Sequence, residues 1–334
     1  MIEVVEERRG QDDYDRVATI RSFGERISAS AGKSSLREIV VRATEPGGCA
    51  MSLGDGLAAL GAEVHAYATL GEPIHPAFAP IAARFAHVES WGEHPGRTLA
   101  FEFGDGKLMF SSVRPLADFD PELVSRKLAE GTFREACGRA KLIGLTDWSL
   151  YPHMTEVWRL LRREVFVHLD SPWFFVDLVD PASRSDADVA DMLRALAEIQ
   201  DAGPVILGLN GSEAERICRV AGVPQGDEAN GWAQTAGELS SRIGIHGVVV
   251  HTPRFAAGAM GSARASSLTD HCAAPKKSTG AGDRFNAGFA FGLLAGAPLE
   301  VCLALGNAGS GYYVRSARSG NREELAAFLR NPNP

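Results

Sequence analysis

The sequence has few of the features expected of a membrane or secreted protein. No stretch approaches the roughly 18 consecutive apolar residues of a transmembrane helix, and the longest candidate, residues 287–298, is short and rich in glycine. Residues 1–9 have no apolar run of the kind found in a signal peptide. The 5 cysteines are scattered and show no C-x-x-C spacing. We therefore expect a cytoplasmic protein with reduced thiols.

Positive charge is also scarce. The chain has 34 Lys and Arg against 42 Asp and Glu, a formal net charge of −8. This balance argues against nucleic acid or an anionic membrane as a partner. The 9 histidines include no H-x-x-x-H pair that would indicate a metal site. With 45% hydrophobic and 23% charged residues, the composition is that of an ordinary globular protein.

Short apolar segments alternate with helical ones along most of the chain. Residues 185–199 place apolar side chains at helical spacing and predict an amphipathic helix. Strands that alternate with helices at this interval indicate a parallel sheet covered on both faces. The predicted strands are residues 64–70, 140–145, 165–169, 204–209 and 247–251.

Two other segments alternate apolar and polar residues, as half-exposed antiparallel strands do. They lie near residues 36–45 and 98–113, and Asp105-Gly106 supplies a hairpin turn in the second. We therefore expect a small second sheet beside the α/β core. Apolar side chains at Phe101 and Phe110 make one face of it suitable for contact with a second subunit.

The strongest chemical signal lies in residues 278–289, which read STGAGDRFNAGF. Glycines let the backbone turn sharply and approach a ligand closely. A helix that begins there directs unpaired amide hydrogens and a partial positive charge at the turn, which favours an anion such as phosphate. Asp283 would then lie beside the anion as a base for an attacking hydroxyl. Alternatively, Gly280 and Gly282 only form a loop, and Asp283 caps the helix.

This segment resembles the signature of the ribokinase-like (PfkB) carbohydrate kinases, roughly D-T-x-G-A-G-D-x-F-x-A-G-F. The resemblance implies one domain over residues 1–334, an α/β three-layer α/β/α sandwich with a mostly parallel central sheet. It also implies a small β-sheet lid that closes over the sugar and often forms a homodimer contact. The implied reaction is ATP-dependent phosphoryl transfer to a hydroxyl of a sugar-like acceptor. The catalytic base would be Asp283, and the anion hole would comprise the amides of Gly280, Ala281 and Gly282.

A second glycine turn resembles the family's N-terminal signature, G-G-x-x-x-N. Gly47 and Gly48 would let the backbone approach the sugar, and Ser52 stands where the family usually has asparagine. A hydroxyl still donates and accepts hydrogen bonds. Asp55, one turn further on, is a local candidate for the same site. The alternative is a strand-to-helix turn with no ligand.

Three further positions resemble the family's nucleotide site. Asn210 and Glu213 fit its N-x-x-E motif, which organises Mg²⁺ and its waters, so Glu213 would act on the metal through water. The same pair fits a helix capping box, which requires no ligand. Asn307 matches an asparagine near the adenine, although the small residues around it equally suit close helix packing. Thr279 would face the nucleotide.

Two lysines precede the glycine turn. Lys277 replaces an aspartate that is common in the family, and with Lys276 it would either neutralise a phosphate or remain a solvated surface pair.

The resemblance fails at the N-terminus. Family members open with a buried core strand that ends in a sugar-binding aspartate, whereas residues 1–9 are short and charged, and residues 23–31 suggest a helix. We therefore expect the first core strand and its aspartate to be missing. Two alternatives to a sugar kinase follow. One is a kinase-fold protein that binds a nucleotide or metabolite without catalysis, and the other is a nucleoside kinase. A dinucleotide-binding oxidoreductase is disfavoured because no G-x-G-x-x-G follows an early strand.

Overall fold

The computed structural model describes residues 1–331 and contains a six-stranded sheet in the order β13-β12-β11-β10-β9-β8. The four strands β8 to β11 are parallel, and β12 and β13 are added antiparallel at one edge. The strands are β8 (Leu142–Leu145), β9 (Trp173–Asp177), β10 (Val205–Asn210), β11 (Gly247–His251), β12 (Phe255–Met260) and β13 (Ala263–Leu268).

Helices cover both faces of this sheet, as near-continuous apolar strands require. Alternate residues of β9 show the two faces, because Phe175 packs with Phe285 and Phe289 whereas Phe174 belongs to the larger cluster on the other side. The helices are α1 (Ile20–Ser28), α2 (Cys49–Ala59), α3 (Ala79–Ala82), α4 (Pro121–Glu130), α5 (Thr132–Arg139), α6 (Met154–Glu164), α7 (Asp186–Ile199), α8 (Gly211–Ala221), α9 (Ala229–Ile243), α10 (Ala281–Leu294), α11 (Leu299–Ser316) and α12 (Arg322–Arg330).

The predicted class, an α/β sandwich with a mostly parallel sheet, is confirmed. The predicted strand at residues 165–169 is wrong. That segment forms a short 3₁₀ turn, Phe166–His168, and the strand begins later, at Trp173. Phe166 is fully buried against Phe174 of the true strand, so its apolar character reflects core packing rather than a strand. No helix among the described residues is long and apolar enough to cross a membrane.

A second sheet of five strands lies apart from the first and is called the lid below. Its strand order is β2-β1-β6-β7, and β3 pairs with the first three residues of β1, Ile2 to Val4. Its strands are β1 (Ile2–Arg8), β2 (Tyr14–Arg16), β3 (Ile39–Val41), β6 (Arg97–Phe103) and β7 (Gly106–Ser112), and β4 (His65–Ala68) and β5 (His87–Ser90) form a separate parallel pair.

Helix α1 packs on one face of the lid. Its Phe23 contacts Phe101 and Phe103, with ring centroids 6.4 and 5.4 Å away. Phe110 is on the same face, because it pairs directly with Leu99 and contacts Phe101. The β6–β7 hairpin turns at Asp105, whose carboxylate accepts a hydrogen bond from the first amide of α1 (2.8 Å).

The N-terminal segment does form a strand, β1, despite its charge. Ile2, Val4 and Val5 in its first part are buried, and the charged residues at its end, Glu6 to Arg8, are exposed. All six strands of the large sheet come from residues 142–268, so β1 contributes to the lid and not to that sheet. The expected helix begins at Ile20, where Thr19 forms a capping box with Ser22, and ends at Ser28. The absence of the family's first core strand stays a prediction.

Candidate active site

Two aspartates lie at the carboxyl edge of the large sheet. Asp177 is the last residue of β9, and Asp147 follows β8 by two positions. Carboxyl ends of neighbouring parallel strands meet at one edge of a sheet, where α/β proteins bind their ligands. Both side chains are buried, with Asp147 8% and Asp177 9% exposed. This edge is therefore the place to look for a polar site.

The glycine turn lies close to this edge, at the start of helix α10. Gly280 is the N-cap of α10 and has φ +91°, a conformation that favours glycine. The Ala281 amide donates to the Ser278 carbonyl (3.1 Å). Within residues 1–331, the Gly280 and Gly282 amides have no such acceptor, so they are the stronger candidates for an anion hole.

Asp283 lies in the first turn of α10, among other acids. Its carboxylate, the Asp177 carboxylate and the Cys49 thiol place one ligand atom each within 4.8 Å of one another. Burial, followed by repulsion from Asp177, raises the pKa of Asp283 well above its ordinary value, although a hydrogen bond from Cys49 opposes the shift. Burial and the Asp147 charge raise the pKa of Asp177 to about 6. The site is thus a pocket of poorly solvated carboxyl groups.

Hydrogen bonds from neighbouring residues fix Asp177 and Asp147. The Asn286 amide, one turn after Asp283, donates to Asp177 Oδ2 (3.0 Å). The Cys49 amide donates to Asp147 Oδ2 (3.0 Å), so Asp147 caps α2, whose own N-cap residue is a glycine. These bonds connect α10 to β9 and α2 to the loop after β8.

The second glycine turn leads directly into this pocket. Gly48 has φ +89°, and a Cβ added there would lie 3.9 Å from Asp147 Oδ2, whereas Gly47 has open space around it. Ser52 lies in the first turn of α2 and donates its amide to the Gly48 carbonyl. Asp55 points elsewhere. It forms a buried ion pair with Arg284 (2.7 Å) and accepts from Ser319 (2.6 Å), so it supports α10.

Asn210 and Glu213 form the capping box that the sequence also allowed. Asn210 Oδ1 accepts from the Glu213 amide (3.0 Å), and Glu213 Oε2 accepts from the Asn210 amide (2.8 Å). Burial and the nearby Asp177 charge raise the pKa of Glu213 to about 8. The cap therefore holds a buried carboxyl group at the start of α8. The N-terminus of this helix borders the cavity described next.

A cavity of about 1030 Å³ lies beside the glycine turn. Asn307 borders it and donates to the Ser267 backbone oxygen and hydroxyl (3.3 and 3.1 Å). The small residues near Asn307 serve helix packing, since a Cβ on Gly306 would come within 2.6 Å of Phe285. The polar and turn residues lining the cavity include Asn210, Ser212, His251, Thr252, Ser278, Ala281, Gly282 and Asn307.

The two lysines before the turn differ, because Lys277 has an ion-pair partner whereas Lys276 is held through its backbone. Lys277 pairs with Glu45 (2.7 Å), and the Lys276 amide donates to the Val314 carbonyl. A lid lysine, Lys107, donates to Thr279 Oγ1 (3.1 Å), and the Tyr313 hydroxyl donates to the Thr279 carbonyl (2.9 Å). The residue before the glycine turn is therefore held from both sides.

Sequence reasoning missed five residues of this region: Cys49, Lys107, Asp147, Asp177 and His251. The two aspartates carried a usable signal, because each is a single carboxylate at or just after a short apolar run. His251 also ends a strand. Burial lowers its pKa to about 4, and its ring stacks on Phe285 with centroids 4.8 Å apart. No local pattern marks Cys49 or Lys107.

Comparison with known proteins identifies the family of this chain. The family model of the prokaryotic ketohexokinases matches residues 1–331. The chain belongs to this family. A ketohexokinase from Haloferax volcanii is 31% identical over 98% of this chain and 86% of its own length. The carbohydrate kinase assignment from the sequence motif is thereby confirmed.

Solved structures share the fold at lower identity. An Arabidopsis thaliana ribokinase, solved with ribose and ATP, superposes with a TM-score of 0.65 at 17% identity, covering 98% of this chain and 96% of that one. Escherichia coli phosphofructokinase-2 gives a TM-score of 0.63 at 14% identity, covering 89% and 91%. The ribokinase-like fold is therefore confirmed for this carbohydrate kinase.

Proposed function

We propose that this kinase transfers the γ-phosphoryl group of ATP to a hydroxyl of a ketohexose. The carrying observation is the position of Asp283. Its carboxyl group lies close to the Cys49 thiol and the Asp177 carboxylate, and the glycine turn that precedes it borders the large cavity. A nucleotide in the cavity and a sugar at the acid pocket would meet at this turn. The name of the Haloferax volcanii relative supports a ketohexose as acceptor.

Asp283 would be the general base that takes the proton of the acceptor hydroxyl. Its raised pKa makes the carboxylate a stronger base than an exposed aspartate, because the poorly solvated charge gains more by binding a proton. The sugar's other hydroxyls would donate to Asp177 and Asp147. Gly47, Gly48 and Ser52 would line the sugar side, where the glycines leave room for a close approach.

The transferring group would be stabilised by the amides of Gly280 and Gly282, and Gly282 itself lines the cavity. The Ala281 amide, engaged with Ser278, would contribute less. Phosphoryl transfer depends mainly on positioning and electrostatic stabilisation, so such donors supply much of the catalysis. Asn307, which lines the cavity, and Thr279, next to Gly280, would contact the nucleotide.

The residues near the phosphate side fit Mg²⁺. The donors there are oxygen atoms of Asn210 and Glu213, and Mg²⁺ prefers oxygen ligands and keeps several waters. Glu213 would hold it through water. A bound cation would also favour the ionised form of this carboxyl group, whose pKa is raised to about 8 without it. When bound, Mg²⁺ would neutralise charge on the ATP phosphates.

The experiment is a turnover assay with a matched acceptor panel. Purified protein, ATP and Mg²⁺ are mixed with fructose and other ketohexoses, with aldohexoses and ribose, and with nucleosides, and ADP release is followed. We expect turnover to be highest with a ketohexose. A preference for nucleosides would favour the nucleoside kinase alternative instead, and ATP binding without turnover on any acceptor would favour a non-catalytic protein.

Asp283→Asn tests the base directly. The substitution keeps the side-chain shape and removes the proton acceptor, so we expect kcat to fall about 10²–10⁴-fold. Asp170→Asn is the matched carboxamide control, because Asp170 is exposed and precedes β9, at the opposite edge of the sheet from Asp177, and it should keep kcat close to that of the unchanged protein. An Asp283→Asn protein with ordinary kcat would exclude Asp283 as the base.

A further inference from the structure

The cavity is poor in positive charge for a site that would hold ATP. Among the described residues that line it, none is a lysine or an arginine. Two cations near the glycine turn are engaged elsewhere, and a third, Lys276, is exposed at the surface. Arg284 pairs with Asp55 (2.7 Å) and lies over the Tyr313 ring, and Lys277 pairs with Glu45 (2.7 Å). Several carboxyl groups lie close by, so a positive side chain would add to the attraction that the turn amides and Mg²⁺ offer the phosphates.

One cation reaches the glycine turn from outside the α/β core. Lys107 of β7 lies in the lid, and its ammonium donates to Thr279 Oγ1 (3.1 Å), the residue next to Gly280. Its carboxylate partner is Glu102 (2.9 Å), directly opposite on β6. The Lys107 side chain is 32% exposed, so its charge is neither buried nor fully solvated.

The contact with Thr279 is weak for an ammonium group. A hydroxyl is a neutral acceptor, whereas a phosphate oxygen is negatively charged, so its hydrogen bond with an ammonium also gains the attraction between opposite charges. A phosphate bound at the Gly280 and Gly282 amides would therefore compete with Thr279 for Lys107. The lysine side chain is flexible enough to make that change without moving β7.

We propose that Lys107 contacts the γ-phosphoryl group of ATP, so that the lid brings with it part of the phosphate site. This rests on the proposed function, because it places the phosphates at the glycine turn. The sugar half and the phosphate half of the site would then be coupled through the lid. The same lid that covers the acceptor supplies the positive charge for the transferring group, and phosphoryl transfer is favoured only with the lid in place.

The experiment compares four variants of the full-length protein. Lys107→Met removes the charge, Lys107→Gln keeps a hydrogen-bond donor without charge, and Lys107→Arg keeps the charge. Arg97→Met is the matched control, because Arg97 is an exposed cation of the same hairpin, at the far end of β6. Calorimetry with ATP and with ADP, each with Mg²⁺, measures binding, and the assay with the best sugar measures kcat. Thermal unfolding checks that each variant is folded.

We expect Lys107→Met and Lys107→Gln to bind ATP at least about fivefold more weakly while ADP binding stays within about twofold. In these two variants kcat should fall about 10²–10³-fold, the typical effect of losing one donor to a transition-state charge. Lys107→Arg should recover most of both properties, and Arg97→Met should match the unchanged protein. Retention of ATP affinity by Lys107→Gln would overturn the inference, since a hydrogen bond to Thr279 would then suffice.

Failure of the proposed function has a different signature. If the unchanged protein turns over no sugar, the proposed function is wrong, but the ATP and ADP affinities still decide the role of Lys107. If sugars are turned over and Lys107→Met matches Arg97→Met in kcat and in ATP affinity, the inference is wrong and the proposed function stands.

Discussion

Gly288 tests how closely helix α10, which contains Asp283, depends on the neighbouring helix α11. It lies in the middle of α10, where a Cβ would come within 2.2 Å of the Leu305 carbonyl oxygen and 2.7 Å of its carbon. Both atoms belong to the backbone of α11, so no side chain can turn away to make room. Gly288→Ala must therefore move one helix relative to the other.

The expected size of the effect follows from two opposing terms. Overpacking costs about 1–3 kcal/mol, and a backbone obstacle favours the upper part of this range. Alanine returns about 0.8–1.0 kcal/mol through its higher helix propensity. The free energy of unfolding should thus fall by about 2 kcal/mol. With an unfolding entropy of about 2.1 cal/mol/K per residue over 334 residues, this lowers Tm by roughly 3 °C.

Activity should suffer more than stability. Asp283, the proposed base, is on the same helix, and a displacement of 1 Å in a reacting group can lower the rate on the order of 10²-fold. Calorimetry would measure Tm, and the sugar-dependent ADP assay would measure kcat.

Gly138→Ala is the control. Gly138 lies in α5, and a Cβ there meets no atom within 4 Å. The change should raise Tm slightly and leave kcat unchanged. A Gly288→Ala protein that is as stable and active as Gly138→Ala would show that α10 and α11 can separate freely, which contradicts the packing argument.

Two further predictions concern the acid pocket and the lid. The pKa of Asp177 is raised to about 6 in the folded state. Between about pH 4 and 6 the folded protein therefore binds more protons than the unfolded chain, and the free energy of unfolding falls as the pH rises through this range. Asp177→Asn should therefore have a higher Tm than the unchanged protein at pH 8, and the difference in Tm should shrink towards pH 4.5. A difference in Tm that does not change with pH would contradict this prediction. We also propose that the lid forms a homodimer through its exposed apolar residues Leu99 (48% exposed) and Phe110 (55% exposed), so Phe110→Ser should shift sedimentation towards the monomer. Monomeric behaviour of the unchanged protein would exclude this contact.

The elements that the sequence predicted well share a local cause. Residues 204–209 and 247–251 are apolar runs with polar or glycine boundaries, and both form central strands of the large sheet. Helix α10 begins within the glycine motif because Gly280 can adopt φ +91° and the apolar residues that follow bury one face. In each case neighbouring residues contained the needed information.

The site depended on information that is not local. Asp147 and Asp177 are separate single aspartates, and Cys49 is a further 98 residues from Asp147 along the chain. Only the order of the parallel strands and the packing of α2 bring them together. The segment 165–169 failed for a related reason, because an apolar run buried in a core resembles a strand until its partners are known.

The acid pocket itself constrains the kind of acceptor. Asp147 and Asp177 are buried, Asp283 is half-buried beside them, and loss of solvent around each carboxyl group raises its pKa. A ligand with several hydroxyl groups would donate hydrogen bonds to these oxygens and favour their ionised forms, lowering the pKa values again. An apolar ligand would leave the carboxyl groups without donors. A polyhydroxylated sugar is thus the acceptor that this pocket would stabilise, and its binding would prepare Asp283 to act as a base.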